Sequence, residues 1–262
     1  MVPEAIRRHA GAVALSLAAA LPLPAGAEDA APATIARVKA SIVAVGTFER
    51  LRNPSFAFAG TGFVVGDGLQ VVTNDHVLPK ALDPGRNETL AVALRDAQGA
   101  LEVRTARRVA GDASQDLALL ELQGKPLPAL RLGDSTRVRE GESYLFTGFP
   151  IGSVLGMYPV THRTMIAAVT PIAIAAPSAD KLDARSVRQL AAGAYSVFQL
   201  DGTAYPGNSG SPVYDATTGE VIGIVNSVLV KATRESALAQ PSGITYAIPA
   251  VTLEPLLGAV RR

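Results

Sequence analysis

"GKPLPALRLGDS", residues 124–135, sets Pro126 and Pro128 between Gly124 and Gly133. A proline cannot donate to a strand ladder, so no central strand runs through this stretch. Before it lie the short apolar runs "SIVAVGTF" (41–48), "GTGFVV" (60–65), "QVVTN" (70–74), "TLAVALRD" (89–96), "LEVRTARRVA" (101–110) and "LALLEL" (117–122). After it come "SYLFTGF" (143–149), "THRTMIAAV" (161–169), "AYSVFQL" (194–200), "GSPVYD" (210–215), "VIGIVNSVLV" (221–230) and "GITYAIP" (243–249). Gly, Pro, Asn or Asp interrupts the chain every ten residues or so, the spacing of short strands. In "TLAVALRD" the residues Leu90, Val92 and Leu94 share one face with only alanines between them, as in a half-buried strand. The pattern predicts an all-β protein of two similar six-stranded antiparallel β-barrels, residues 40–130 and 131–262, because closing each sheet hides its edges.

Two helical segments are expected. "SADKLDARSVRQLAA" (178–192) scatters Leu182, Val187 and Leu190 among charges and suits a short amphipathic insertion. "PAVTLEPLLGAVRR" (249–262) suits a short C-terminal helix, with Pro249 at its start and two arginines at its end. Pro255 is expected to limit or bend it.

The bulk properties exclude several functions. The 262 residues carry 24 basic and 23 acidic side chains, a net charge of +1, which gives no electrostatic reason to expect nucleic acid. Cysteine is absent, so disulfides, thiolate zinc sites and thiol nucleophiles are impossible. The histidines are His9, His76 and His162, too few for a multi-histidine metal site; no metal and no cofactor is expected. Residues 1–27 read as a signal peptide: Arg7 and Arg8, a short apolar run at 11–24, then "AGA" at 25–27. That run is too short to span a membrane, so the mature chain is expected to be exported, periplasmic or secreted, without stable membrane insertion. Residues 28–39, opening with "EDAAPAT", read as a flexible lead-in.

"GNSGSP" (207–212) raises the question of chemistry. Glycines around Ser209 allow a backbone tight enough to aim N–H groups at one point. A serine nucleophile needs a base and a group that orients the base. His9 leaves with the signal peptide, and His162 lies inside a strand-like run, where a surface or core role is the default. His76 closes the run "VVTNDH", at a strand end that can hold it rigidly. For the carboxylate, Asp116 directly precedes an apolar strand, where burial requires a partner. Asp112 suits a solvated turn, and Asp75 neighbours His76 and points apart from it. The candidate triad is therefore His76, Asp116 and Ser209. The segment Gly207, Asn208 and Ser209 is the candidate oxyanion hole, with the N–H groups of Gly207 and Ser209 as donors.

With these residues in place the chain resembles the trypsin-like serine peptidases, most closely the bacterial HtrA/Deg-type branch, over about 40–262. "GTGFVVGDGLQVVTNDHV" is similar to that family's histidine segment, "DASQDLALLEL" to its aspartate segment, and "QLDGTAYPGNSGSPVYDATTGEVIGI" to its serine segment. "LRLGDSTRVREGESYLFTGFPIG" is similar to its bridge between barrels, and "GITYAIP" to its last strand. The resemblance implies a chymotrypsin-like double barrel with the cleft between barrels, and hydrolysis of peptides or unfolded proteins by an acyl-enzyme route. It places the base of the primary pocket at Thr203 and one wall at Asn226, Ser227 and Val228, beside which a substrate adds as a strand. Thr203 is neutral, no carboxylate or histidine is supplied nearby, and Val228 narrows the entrance, so small uncharged side chains are expected. The chain departs from the family at Ser211, where the motif usually carries glycine. Just before Ser209 stands Asn208, a neutral residue, so activation by burying a new N-terminus against an aspartate there is not expected. It stops soon after the closing helix, so substrate capture through a PDZ domain is not expected. The rival reading is a chaperone-like or peptide-binding protein on this fold whose oxyanion hole is collapsed at rest. The sequence sets no oligomeric state.

Overall fold

A computed structural model of the chain describes residues 30–95, 98–152, 156–172, 195–226 and 244–260. The expected signal peptide and the helical segment at 178–192 lie outside these residues. Helix α1 (Ala31–Lys39) leads into β1 (Ile42–Phe48), β2 (Phe56–Val65), β3 (Gln70–Thr73), β4 (Thr89–Arg95), β5 (Leu101–Asp112) and β6 (Leu117–Leu122). These strands close into a barrel in the order β1-β2-β3-β6-β5-β4. The strands β7 (Ser143–Gly148), β8 (Val160–Ile172), β9 (Tyr195–Asp201), β10 (Pro212–Tyr214), β11 (Val221–Asn226) and β12 (Ile244–Pro249) close a second barrel of the same order, β7-β8-β9-β12-β11-β10. Every ladder is antiparallel, and β1–β4 and β7–β10 pairings seal the two cylinders. This is the two-barrel all-β fold that the twelve apolar runs predict.

The proline-bearing stretch crosses between the barrels. Leu130 N–H bonds to Val64 C=O in the first barrel, and Gly133 N–H bonds to Val221 C=O in the second. Each barrel has its own filling. Val43, Val45, Val64, Val71, Val92 and Leu120 pack in the first, and Phe146, Ile166, Phe198, Leu200, Val213 and Val225 in the second. A third apolar cluster joins them: Phe63 and Leu119 meet Leu145, Tyr214, Ile224 and Ile248 across the seam. Burial of each such side chain is worth about 1.5–3 kcal/mol. The seam is therefore continuous core, and it fixes the distance between groups on the two barrels.

Three local expectations change. Strand β4 is buried on both faces: Leu90 and Val92 face the barrel interior, while Ala91 and Ala93 join the seam cluster. Alanine is small enough to pack in that crowded cluster, which also takes in Leu253 and Leu256 of the closing segment. The lead-in is helical from Ala31, because Pro32 is tolerated in a first turn and Ala31, Thr34 and Val38 bury one stripe. Thr34 Oγ1 and Arg37 donate to the carbonyls of Thr217 and Thr218, so this N-terminal helix is strapped to the second barrel. The closing segment begins as a 3-10 turn, Ala250–Leu253, and continues as the α-helix α2 (Glu254–Val260). Pro255 sits in the first turn of α2, where a proline is tolerated.

Candidate active site

Strand β3 ends at Thr73, and a single 3-10 turn, Asp75–Val77, lifts His76 to the rim of the first barrel. Asp116 precedes β6 on the neighbouring strand of the same barrel. Ser209 stands in the loop before β10 on the second barrel. The seam brings all three together. His76 Nδ1 lies 2.6 Å from Asp116 Oδ2, and His76 Nε2 lies 3.0 Å from Ser209 Oγ.

Asp116 is 6% exposed, so its charge must be met by donors. The His76 backbone N–H donates to Oδ1 at 2.9 Å, and Asn226 Nδ2 donates to Oδ2 at 2.8 Å. The Asp116 carbonyl accepts from Asn74 Nδ2 and from Asp75 N–H. The residue adopts a left-handed backbone conformation, φ +56°, which aspartate tolerates better than most side chains. These contacts leave the carboxylate one orientation, facing the imidazole.

The other acidic candidates are engaged elsewhere. Asp75 pairs with Arg108 at 2.7 Å. Asp112 accepts from Ser114 and Gln115 and closes the turn after β5. His162 stacks on Phe146 in the second barrel, ring centroids 4.8 Å apart, and burial pushes its imidazole below the ordinary value. It takes no part in the His76 cluster.

Around Ser209, Gly207 has φ +100° and Gly210 φ +87°. A Cβ at Gly207 would lie 2.3 Å from Phe149 O, and one at Gly210 would lie 2.0 Å from Thr61 O, so neither position admits a side chain. Thr61 N–H donates to the Ser209 carbonyl, and Gly210 N–H to that of Val225. The Pro206 carbonyl accepts from Ile151 N–H at 2.8 Å. A trans peptide points its C=O and N–H in opposite directions, so the Gly207 N–H turns away from Ile151. Asn208 sits between Gly207 and Ser209. Its N–H donates to Tyr205 C=O, and its side chain is fully buried.

Thr203 is half-buried in the loop 202–204. Thr245 Oγ1 holds that loop by donating to Gly202 C=O and accepting from Ala204 N–H. Asn226, on the strand expected as a pocket wall, has a second place in the site: its side chain is buried against Asp116. Strand alternation alone could not choose between the two faces. Ser227 and Val228 lie outside the described residues.

A family model of the trypsin-like peptidase domain matches residues 60–224, which hold His76, Asp116 and Ser209. The chain belongs to the trypsin-like peptidase family. Among curated relatives, a probable periplasmic serine endoprotease, DegP-like, of Ectopseudomonas mendocina (strain ymp) is 32% identical over 191 residues, 72% of this chain and 32% of the relative. One of the same description from Chlamydia trachomatis serovar D is 32% identical over 195 residues, 74% of this chain and 32% of the relative. The peptidase domain described here thus spans about a third of the length of these relatives. Among solved structures, Deg5 superposes with a TM-score of 0.60 at 25% identity, covering 86% of this chain and 91% of that one. The HtrA-type protease AlgW with a tripeptide superposes with a TM-score of 0.60 at 23% identity, covering 87% and 62%, a likeness of fold.

Among the described residues no group of His, Asp and Glu is arranged to hold a metal ion, and no helix is long and apolar enough to cross a membrane.

Proposed function

We propose that the protein is an exported serine endopeptidase acting through a Ser209–His76–Asp116 triad. The observation that carries this reading is the continuous contact from Asp116 through His76 to Ser209, 2.6 Å and 3.0 Å long, across two barrels. His76 Nε2 takes the Ser209 hydroxyl proton as Oγ bonds the substrate carbonyl carbon. The imidazolium formed is stabilised by the buried Asp116 carboxylate. It then gives its proton to the leaving amine as the C–N bond breaks, and an acyl-enzyme remains. Water, deprotonated by the same imidazole, releases the acid and restores Ser209.

The oxyanion donors are the N–H groups of Gly207 and Ser209. A collapsed hole requires the Pro206–Gly207 peptide to be reversed, with the Pro206 carbonyl turned inward. The Ile151 N–H bond to that carbonyl opposes the reversal, which supports a catalyst over a resting binding protein.

The substrate is a peptide or an unfolded protein lying as a strand beside Asn226–Val228. The pocket, with Thr203 at its base and Ser227 and Val228 in its wall, is uncharged and shallow. Cleavage after Ala, Val, Thr or Leu follows. Because a methylene in such a pocket is worth only about 1–3 kcal/mol, the preference is graded. Digesting unfolded casein and a proteome-derived peptide library, with the Ser209→Ala protein as control, reads both activity and preference. Dominant cutting after Arg, Lys, Glu or Asp overturns the pocket assignment and leaves the triad standing.

Export rests on residues 1–27 and agrees with the word periplasmic in the relatives' names. N-terminal sequencing of the exported protein is expected to start at Glu28. A protein that retains Met1 in the cell contradicts it.

A further inference from the structure

We propose that the Thr61 hydroxyl is a positioning group that holds the oxyanion loop from the opposite barrel. Alternation along β2 puts Thr61 on the same face as Phe63 and Val65, which both lie in the seam between barrels. It is the polar member of that apolar row and is fully buried, so its hydroxyl must be paired. It donates to the Gly207 carbonyl at 2.7 Å and accepts from Phe149 N–H at 3.0 Å. One hydroxyl supplies the donor and the acceptor that these two backbone groups need.

These bonds close a ring. Gly207 lies between two peptides: the Pro206 carbonyl is tied to Ile151 N–H, and Gly207's own carbonyl is tied to Thr61. Phe149, two residues before Ile151, is tied to the same hydroxyl. Both dihedrals of Gly207 are thereby fixed, although a glycine at φ +100° is otherwise the freest residue in the loop. The Thr61 backbone is anchored as well. Its N–H bonds the Ser209 carbonyl, and its carbonyl accepts from Thr73 Oγ1 at 2.7 Å. The first barrel thus aims an N–H group of the second. Thr61 touches neither substrate nor reacting atoms and acts through Gly207.

This inference rests on the peptidase reading for its kinetic consequence. Thr61→Val keeps the shape and removes the hydroxyl; Thr61→Ser keeps the hydroxyl. If Gly207 loses its aim, Thr61→Val is expected to lower kcat by about 10²–10³, the range for an oxyanion donor. KM is expected to stay within about threefold, because the interaction lost is made only in the transition state. Thr61→Ser is expected to restore kcat to within about threefold of wild type. Affinity for a peptide boronate, which forms a tetrahedral adduct, is expected to fall with kcat. A Thr61→Val kcat within threefold of wild type, or a loss that Thr61→Ser does not rescue, overturns the proposal. Should Thr61→Val not fold, Thr61→Ala removes the same hydroxyl without a branch to repack and carries the same expectation. Amide exchange at Phe149 separates this proposal from the peptidase reading. Its protection is expected to fall about tenfold or more in Thr61→Val and not in Thr61→Ser, whether or not the wild type turns over. Equal Phe149 protection in the two variants overturns the clamp; a clamp intact in a wild type that cleaves nothing overturns only the peptidase reading.

Discussion

Ser209→Ala and His76→Ala will each lower kcat for a peptide substrate by about 10⁶, and combining them will cost little more. Ser209 Oγ stands 3.0 Å from His76 Nε2, and in the proposed mechanism the two act as one unit. A hydroxyl without a base is a poor nucleophile, and a base without a hydroxyl has no proton to take. What survives either loss is the activity that the oxyanion donors and substrate binding supply, about 10³–10⁴ over water. Ser209 is 4% exposed and its hydroxyl is small, so alanine leaves the core packing in place. Melting temperature and strand content of the variants are therefore expected to match wild type. The check is kcat on a fluorogenic peptide with an uncharged residue before the cut. A single variant retaining more than a few per cent of wild-type kcat, or a double variant whose losses multiply, contradicts the unit.

Asp116→Asn will lower kcat by roughly 10⁴ with the fold intact. Asparagine adopts the left-handed conformation as readily as aspartate, so the backbone at φ +56° is kept. The hydrogen bonds decide the outcome. His76 N–H is a backbone donor held against Oδ1, and it cannot turn away. The amide oxygen of an asparagine must face it, which places the NH₂ where Oδ2 now accepts from His76 Nδ1. Asn226 can rotate its own amide to accept from that group. His76 can respond only by making Nδ1 the acceptor, so Nε2 carries the proton and no longer serves as base. Asp75→Asn and Asp112→Asn are the comparison. The first loses an ion pair with Arg108 and the second part of a turn, and both are expected within about tenfold of wild type. If Asp116→Asn stays within that same range, the orienting group is another residue.

The architecture was legible because short apolar runs and their breakers repeat on both sides of Pro126 and Pro128. It was less legible where burial depends on the partner surface. Nothing in "TLAVALRD" says that Ala91 and Ala93 join a buried cluster on the outer face of the strand, since alanine suits exposed and buried positions alike. Pro32 disguised helix α1, whose stability comes from docking on the turn at Thr217 and Thr218. In the site, His76, Asp116 and Ser209 carry recognisable chemistry at strand ends. Asn226 does not: which face a strand residue presents depends on register, so its side-chain bond to Asp116 is not readable from the local pattern. Thr61 left only a faint signal, a hydroxyl in the same alternation as Phe63 and Val65. Its two bonds run to Phe149 and Gly207, 88 and 146 residues away in sequence, which no local pattern reveals.

The central claim is that Ser209 is a nucleophile activated by His76. The most direct measurement is labelling with a fluorophosphonate, followed by intact mass and peptide mapping. Wild type is expected to gain one adduct, on the peptide that holds Ser209. Ser209→Ala is expected to gain none, and His76→Ala to label orders of magnitude more slowly because the hydroxyl has lost its base. Equal labelling of wild type and Ser209→Ala, or a wild type that takes no label, would contradict the account.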